Sequence, residues 1–268
     1  ADGSFNLTSW DVPGGEGIRA SVVLIEQLAF LGAPSAGFNG GGDVLVCNQN
    51  AAERWSEVAW LSQSIGKLPV GAEFGATLAT CSGPGSIFDN FLAVGAPGMN
   101  RVYFFTGNGS GQGWNMIGFV DGEVDSGFGS SISINENNWV AIGAPNEEEG
   151  RGSVTVFVVE PDDIEFHSKA MGPIYSGNAG EFGHSVAMSG PLLYVGAPGN
   201  SPTDNGGSMF MYELGNSGDP LNLLLSLENG GDANARFGAS LAAQDFKLAI
   251  GVPGPYSSED ADARGRVE

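Results

Sequence analysis

The stretch Phe182-Gly183-His184-Ser185-Val186, with Gly196-Ala197-Pro198 shortly after it, decides the fold of this chain because both parts recur along the sequence. Phe-Gly pairs begin at Phe74, Phe128, Phe182 and Phe237, in steps of 54, 54 and 55 residues. The hydroxyl residues that follow them are Thr77, Ser131, Ser185 and Ser240, and the second markers are Gly95-Ala96-Pro97, Gly143-Ala144-Pro145, Gly196-Ala197-Pro198 and Gly251-Val252-Pro253. A fixed period of this length is the signature of a repeat architecture.

Within each repeat, short alternating segments rich in Val, Phe and Tyr are separated by Gly, Asn and Pro. This pattern predicts strands joined by tight turns, about four per repeat. Four-stranded repeats of this size favour a β-propeller, in which each antiparallel sheet is a blade. We therefore expect an all-β chain whose residues 1–268 form one domain, with repeat units at about 18–73, 74–127, 128–181, 182–236 and 237–268.

The two markers at this spacing resemble the FG-GAP repeat family, and the resemblance runs from Ile18 to Glu268. The first unit carries the second marker as Gly32-Ala33-Pro34 but departs from the first, because Ile18-Arg19 stands where Phe-Gly would be. The resemblance implies a propeller exposed outside the cell or at the cell surface and used for adhesion or ligand binding. In integrin α subunits such propellers usually have seven blades, whereas five units are found here.

The two ends of the sequence leave two ring closures open. Residues 5–12 align with the outer-strand segment that begins at Leu221, and the fifth unit stops in its third strand at Glu268. The N-terminal segment could supply the missing outer strand and close a five-bladed ring, since closure removes an exposed sheet edge. The alternative is that the five units are a fragment of a seven-bladed ring.

Charge excludes some partners. The chain has 31 acidic and 10 basic residues and a formal net charge of −21, which repels nucleic acid and anionic membrane surfaces. No apolar run reaches the roughly 20 residues of a membrane helix, so we expect no direct membrane insertion.

Many carboxylates fall in the loops after the Pro markers and between blades, which share one face of a propeller. That face could bind Ca²⁺ or a basic partner, or it could be a solvated rim. The loops between first and second strands are too short and too poor in carboxylates for the calcium loop of many FG-GAP repeats, so the calcium sites of that family are not carried over. We expect no required cofactor. For Ca²⁺ the candidate ligands are Glu147, Glu149, Asp204, Asp260 and Asp262.

Two further features concern the secretory pathway. Cys47 and Cys81 lie at strand ends of neighbouring units and could remain two buried thiols or form a disulfide between the two blades, which is the interpretation we favour. Asn6 and Asn108 each begin an Asn-X-Ser/Thr sequon and are predicted glycosylation sites, with Asn108 at a hairpin tip.

The leading functional hypothesis is a non-catalytic binding or adhesion module at the cell surface. Phe38, Asn39 and Tyr256 in the loops after the Pro markers are candidate contacts for a protein or glycan partner. The alternative is a structural subunit of a larger surface assembly. A carbohydrate-active enzyme is disfavoured, because the inner strands carry almost no titratable group except His184. A lectin is disfavoured because it would need aromatic platforms repeated on one face, and the loops do not repeat in composition.

Overall fold

The computed structural model describes residues 21–37, 39–51, 54–81, 90–107, 113–173, 180–199, 206–228, 235–254 and 266–267. These residues form five antiparallel sheets, which we call blades 1 to 5. Blades 1 to 4 each have four strands, and three strands of blade 5 lie within the described residues. In every blade consecutive strands are neighbours in the sheet. The all-β fold predicted from the repeats is therefore confirmed.

The strands have the following bounds. Blade 1 holds β1 (Val22–Ile25), β2 (Leu28–Ala33), β3 (Asp43–Gln49) and β4 (Trp55–Trp60). Blade 2 holds β5 (Thr77–Cys81), β6 (Phe91–Ala96), β7 (Arg101–Thr106) and β8 (Asn115–Asp121). Blade 3 holds β9 (Ser131–Ile134), β10 (Trp139–Ala144), β11 (Ser153–Glu160) and β12 (Asp163–Met171). Blade 4 holds β13 (Ser185–Ser189), β14 (Leu192–Ala197), β15 (Ser208–Glu213) and β16 (Asn222–Glu228). Blade 5 holds β17 (Ser240–Gln244), β18 (Lys247–Val252) and β19 (Arg266–Val267).

Three short helical turns lie between strands in the described ranges. They are α1 (Ser62–Ile65), the 3-10 turn Pro97–Met99 and α2 (Glu147–Gly150). None of the helices in the described part of the chain has the length and apolarity needed to cross a membrane.

The blades pack face to face in sequence order through their inner strands, with β1 against β5, β5 against β9, β9 against β13 and β13 against β17. Because side chains alternate along a strand, the second strand of a blade contributes to the interfaces on both faces of its sheet. In β6, Leu92 and Val94 join the core between blades 1 and 2, whereas Phe91 and Ala93 join the core between blades 2 and 3. One continuous series of apolar layers results.

The Phe-Gly pairs form a sharp turn at the start of blades 2 to 5. Around Phe182, the preceding Glu181 and the following Gly183 both have positive φ, of 52° and 88°. Phe182 itself is fully buried and its ring packs against that of Phe210 in a tilted arrangement, at a centroid distance of 5.3 Å. The other repeat phenylalanines, Phe74, Phe128 and Phe237, are also buried. The Phe therefore fills the space between blades, as the repeat pattern predicts.

The Gly of the second marker lies where two blades are closest. A Cβ on Gly196 would collide with the carbonyl oxygen of Gly238, and one on Gly143 would collide with that of Gly183. Gly32 and Gly95 stand in the same relation to Gly75 and Gly129. Only a residue without a side chain fits here.

A β-bulge recurs between the third and fourth strands. The register shifts between Val46 and Cys47 in blade 1, and at the matching positions Phe104/Phe105, Val156/Phe157 and Met211/Tyr212 in blades 2 to 4. Such bulges increase local twist and turn the outer strand away from the flat sheet.

Neither ring closure is decided by the described residues. Blade 5 packs on blade 4, and no comparable packing joins β17 to β1 within the described ranges. Residues 5–12, the segment predicted to latch the ring, lie outside them. The five-bladed ring and the fragment of a seven-bladed ring both stay predictions.

Candidate binding surface

The acidic loops of blade 3 and of the connection before it form an open cleft of about 570 Å³. In a four-stranded meander, the loops between second and third strands lie at the same end of the sheet as the connections to the next blade. The connection from blade 2 and the loop from β10 to β11 therefore meet. The cleft is lined by Glu123, Val124, Asp125, Asn146, Glu147, Glu148 and Glu149. We call this site the acidic cleft.

Backbone hydrogen bonds hold the two walls of the acidic cleft together. The backbone N–H of Asn146 donates to the carbonyl of Ser126 at 2.9 Å, and that of Gly150 donates to the carbonyl of Asn146 at 3.1 Å. Glu148 and Glu149 have positive φ values of 48° and 59°, which coil the loop into the single turn α2. Glu148 and Glu149 in this turn are exposed.

The carboxylates of the acidic cleft differ in their partners. Glu147 is mostly buried, accepts a 2.6 Å hydrogen bond from Ser153 Oγ and forms an ion pair with Lys169 Nζ. Glu148 pairs with Arg151 at 2.8 Å.

The other three acidic groups, Glu123, Asp125 and Glu149, are exposed. No ion pair neutralises them within the described part of the chain. The cleft therefore presents uncompensated negative charge to the solvent.

The calcium prediction gains no support from this geometry. Glu147 is directed at Lys169, and no group of three His, Cys, Asp or Glu residues suited to a metal ion is found among the described residues. Asp204, Asp260 and Asp262 lie outside them, so that part of the ligand set stays a prediction.

Of the predicted contact residues, Asn39 is placed by the structure. It is exposed in the loop between β2 and β3, in a turn closed by a 3.2 Å hydrogen bond from Gly40 N–H to the Gly37 carbonyl. The sheet topology puts this loop on the same face as the acidic cleft, two blades away. Phe38, Tyr256 and the two sequon residues Asn6 and Asn108 lie outside the described residues.

The expected disulfide is not formed, since Cys47 and Cys81 are both free thiols. The reason is the alternation of β3. Val44 and Val46 face blade 2, so Cys47 points to the opposite side of its sheet, where it packs with Ala29 and Leu45. Strand-end positions alone suggested proximity, but the two sulfur atoms lie on different sides of the blade 1 sheet. Burial raises the pKa of both thiols.

A cluster of titratable groups that the sequence did not single out surrounds His184. Glu181 Oε2 lies 2.7 Å from Arg236 Nη2 and 3.5 Å from His184 Nδ1. Burial lowers the pKa of His184, Glu181 raises it and Arg236 lowers it further. Glu181 and Arg236 both directly precede a Phe-Gly pair, so the repeat alignment carried a signal that neighbouring turns would meet.

His167 has a structural environment. Its Nδ1 lies 2.8 Å from Ser168 Oγ, its Nε2 lies 3.2 Å from the Gly215 carbonyl, and its ring packs against Trp139. Since the carbonyl can only accept, Nε2 carries the proton and Nδ1 accepts from the hydroxyl. The side chain joins the outer strand of blade 3 to a loop of blade 4.

Comparison with known proteins supports the architecture alone. No family model matches the chain, and no curated protein matches it. Among solved structures, the chain is similar to the crystal structure of a protein from Lactobacillus plantarum, a structural genomics target, with a TM-score of 0.56 and 14% sequence identity. The match covers 84% of this chain and 60% of the other. Together with the antiparallel four-stranded sheets, this likeness shows a multi-bladed, propeller-like fold.

Proposed function

We propose that this chain is a non-catalytic binding module whose propeller scaffold presents loops to a basic protein partner. The observation that carries the proposal is the acidic cleft, in which Glu123, Asp125 and Glu149 are exposed and unpaired within the described residues. Clustered charge of one sign raises the association rate of an oppositely charged partner. The loops that form the cleft are held by a rigid sheet framework, as binding loops commonly are.

The family resemblance extends this proposal to location. The Phe-Gly and Gly-Ala-Pro markers resemble FG-GAP repeats, and on that resemblance we place the module outside the cell or at the cell surface, in an integrin α-like adhesion role. A glycan partner, glycosylation at Asn108 and Ca²⁺ in the neighbouring loops belong to the same proposal.

The test compares two charge reversals. Glu123→Lys with Glu149→Lys inverts charge in the acidic cleft. Glu26→Lys with Glu136→Lys makes the same charge change on the opposite face, and Glu26 matches Glu149 in having positive φ. Binding of a hexalysine peptide is measured by calorimetry in chelator at low salt.

We expect the cleft variant to weaken peptide binding by about tenfold or more, and the control pair to change it far less. The affinity of the unmodified chain should also fall as salt rises. Equal losses in both variants would mean that net charge alone attracts the peptide, and the acidic cleft would not be the site.

A second candidate, a structural subunit of a larger assembly, is favoured by the outer strand of blade 4. Leu223, Leu224, Leu225 and Leu227 in β16 are 51%, 46%, 41% and 39% exposed. Exposed apolar side chains in a row mark contact surfaces. Light scattering across a concentration series, with Leu225→Lys/Leu227→Lys as the comparison, tests this role, because a monomeric unmodified chain leaves self-assembly through β16 unsupported.

A further inference from the structure

Each blade from 1 to 4 uses the same face to receive the blade that follows it. In blade 4 the receiving face includes Ser185, Ala187 and Gly196, all of which are buried. Ser185 Oγ donates a 2.7 Å hydrogen bond to the carbonyl of Gly238 in blade 5, and the same carbonyl closes over Gly196. The small side chains of the first strand, the Ser185 hydroxyl and Gly196 thus form a site that receives the Phe-Gly turn of the next blade. We call this site the socket.

Blade 5 carries the same socket. Ser240 pairs with Gly251 in the register in which Ser185 pairs with Gly196. Here Ser240, Ala242 and Ala249 are exposed. The nearest atoms to a Cβ built on Gly251 belong to Ser240 of the same blade, whereas at Gly196 the nearest belongs to the following blade. Within the described residues the socket of blade 5 is therefore complete in its side chains and open.

The occupied sockets of blades 1 to 4 show which kind of turn can enter the socket of blade 5. The carbonyl that enters belongs to a glycine with φ between 84° and 93°, at Gly75, Gly129, Gly183 and Gly238. A Cβ on Gly238 would lie 2.6 Å from the carbonyl oxygen of Ser208 in the preceding blade. The turn must therefore carry glycine. The first unit of this chain has Arg19 at that position, so it lacks the residue that the socket requires.

We propose that the free face of blade 5, formed by Ser240, Ala242, Ala249 and Gly251, docks a further antiparallel blade that begins with a Phe-Gly turn and lies outside residues 1–268. The argument is continuity with established interfaces. The hydroxyl and the glycine that make the contacts between blades 2 to 5 are present again on this face, as Ser240 and Gly251, in the same register. The Phe-Gly turn of the docking blade thus determines whether it fits, and the sequence of its loops does not.

The test extends the chain by one blade taken from itself. Val267 pairs with Gly251 as Met209 pairs with Gly196, so residues 1–267 can be followed directly by residues 210–268. This completes blade 5 and adds a second Phe237-Gly238 unit. Ala249→Cys in the first copy, in a Cys47→Ala/Cys81→Ala background, reports on the face through its rate of maleimide labelling.

Labelling of this cysteine should be fast in the 268-residue chain and at least about tenfold slower in the extended chain, because a covered site reacts only after opening. Gly238→Val in the added unit should restore the fast rate. Equal fast rates in both chains overturn the proposal. So does slow labelling of the 268-residue chain at every concentration, which means that its own first blade covers the face. Slow labelling only at high concentration, with a doubled mass in light scattering, assigns the face to a second copy and also overturns it.

Discussion

Ser131 Oγ donates a 2.7 Å hydrogen bond to the carbonyl oxygen of Gly183, which joins a first strand to the Phe-Gly turn of the next blade. Thr77 bonds in the same way to Gly129 at 2.5 Å, and Ser185 to Gly238 at 2.7 Å. In these three copies the repeated hydroxyl of the sequence therefore has one function, which is to join neighbouring blades.

Replacing this hydroxyl should weaken the chain measurably. Ser131→Ala removes a buried hydrogen bond and leaves the Gly183 carbonyl without that donor, so we expect a loss of about 1–2 kcal/mol in the free energy of unfolding. Ser226→Ala on the exposed outer strand of blade 4 is the matched control and should change it by less than about 0.5 kcal/mol. Urea denaturation measures both, and similar values for the two variants would contradict a special role for the hydroxyl.

The marker glycines should tolerate no methyl group between two blades. Gly196→Ala has no backbone strain to explain its effect, yet its Cβ would collide with the Gly238 carbonyl. We expect a loss of about 2–3 kcal/mol or more, as for overpacked interiors. Gly251→Ala meets the Ser240 hydroxyl, which can rotate, so a much smaller loss is expected there. Thermal and urea unfolding of the two variants, compared directly, check the difference.

These glycines also show how far the sequence predicts the fold. The spacing of Phe-Gly and Gly-Ala-Pro was sufficient for five blades, because each marker meets the same backbone geometry in each copy. The sequence was not sufficient to predict the environment of Cys47. Its position at a strand end suggested a disulfide, but its side chain lies on the side of the sheet that faces away from blade 2. Side-chain direction depends on register, which strand-end counting does not give.

The acidic cleft was likewise predicted only in part. The acidic loops were correctly expected to share a face by topology. The partner of Glu147 could not be anticipated, because Lys169 lies two strands away across β11 and reaches the loop through pairing of β11 with β12. A list of carboxylates does not reveal which ones are already neutralised.

The buried Asp43 should make stability depend on pH. Its carboxylate accepts from the N–H groups of Val44 at 2.8 Å and Ser62 at 3.0 Å, yet burial outweighs these bonds and raises its pKa above 3.8. A raised pKa in the folded state means that the folded chain holds the proton more tightly. The stabilising contribution is thus complete below about pH 3.8 and is lost as pH rises through the folded-state pKa.

Asp43→Asn should remove this slope. Relative to the unmodified chain, the variant should gain stability as the pH is raised from about 4 to 7, because the cost of a buried charge is absent. Asp43→Ala loses the hydrogen bonds as well and should be destabilised by about 2–3 kcal/mol at both pH values. Urea unfolding at the two pH values decides, and a constant difference between the Asn variant and the unmodified chain would contradict the prediction.

Replacing the two histidines should destabilise the chain to very different extents. His167→Ala removes a buried ring with two polar partners and should cost about 2 kcal/mol or more in stability. His184→Ala changes a side chain that is 39% exposed, and we expect a small loss. Melting temperatures of the two variants measure this, and a larger effect at His184 would reverse the structural assignment of His167.

The thiols should be free but slow to react. Burial and the nearby Glu57 raise the pKa of Cys47 to about 11, so little thiolate exists at neutral pH. We expect a thiol reagent to modify two cysteines in denaturant and to react far more slowly with the folded chain. A reducing agent should leave the melting temperature unchanged. The absence of any reactive thiol after denaturation without reductant would restore the case for an oxidised pair.

The close contact between Gly196 and the Gly238 carbonyl has a consequence for sequence divergence. What a blade requires of its successor there is a carbonyl oxygen and the absence of a side chain, and neither restricts the loops, the outer strands or their charges. Chains that keep this joint can change almost everything else. Sequence identity as low as the 14% between this chain and the Lactobacillus plantarum protein is therefore compatible with a shared fold, because the joint leaves the loops and outer strands unconstrained.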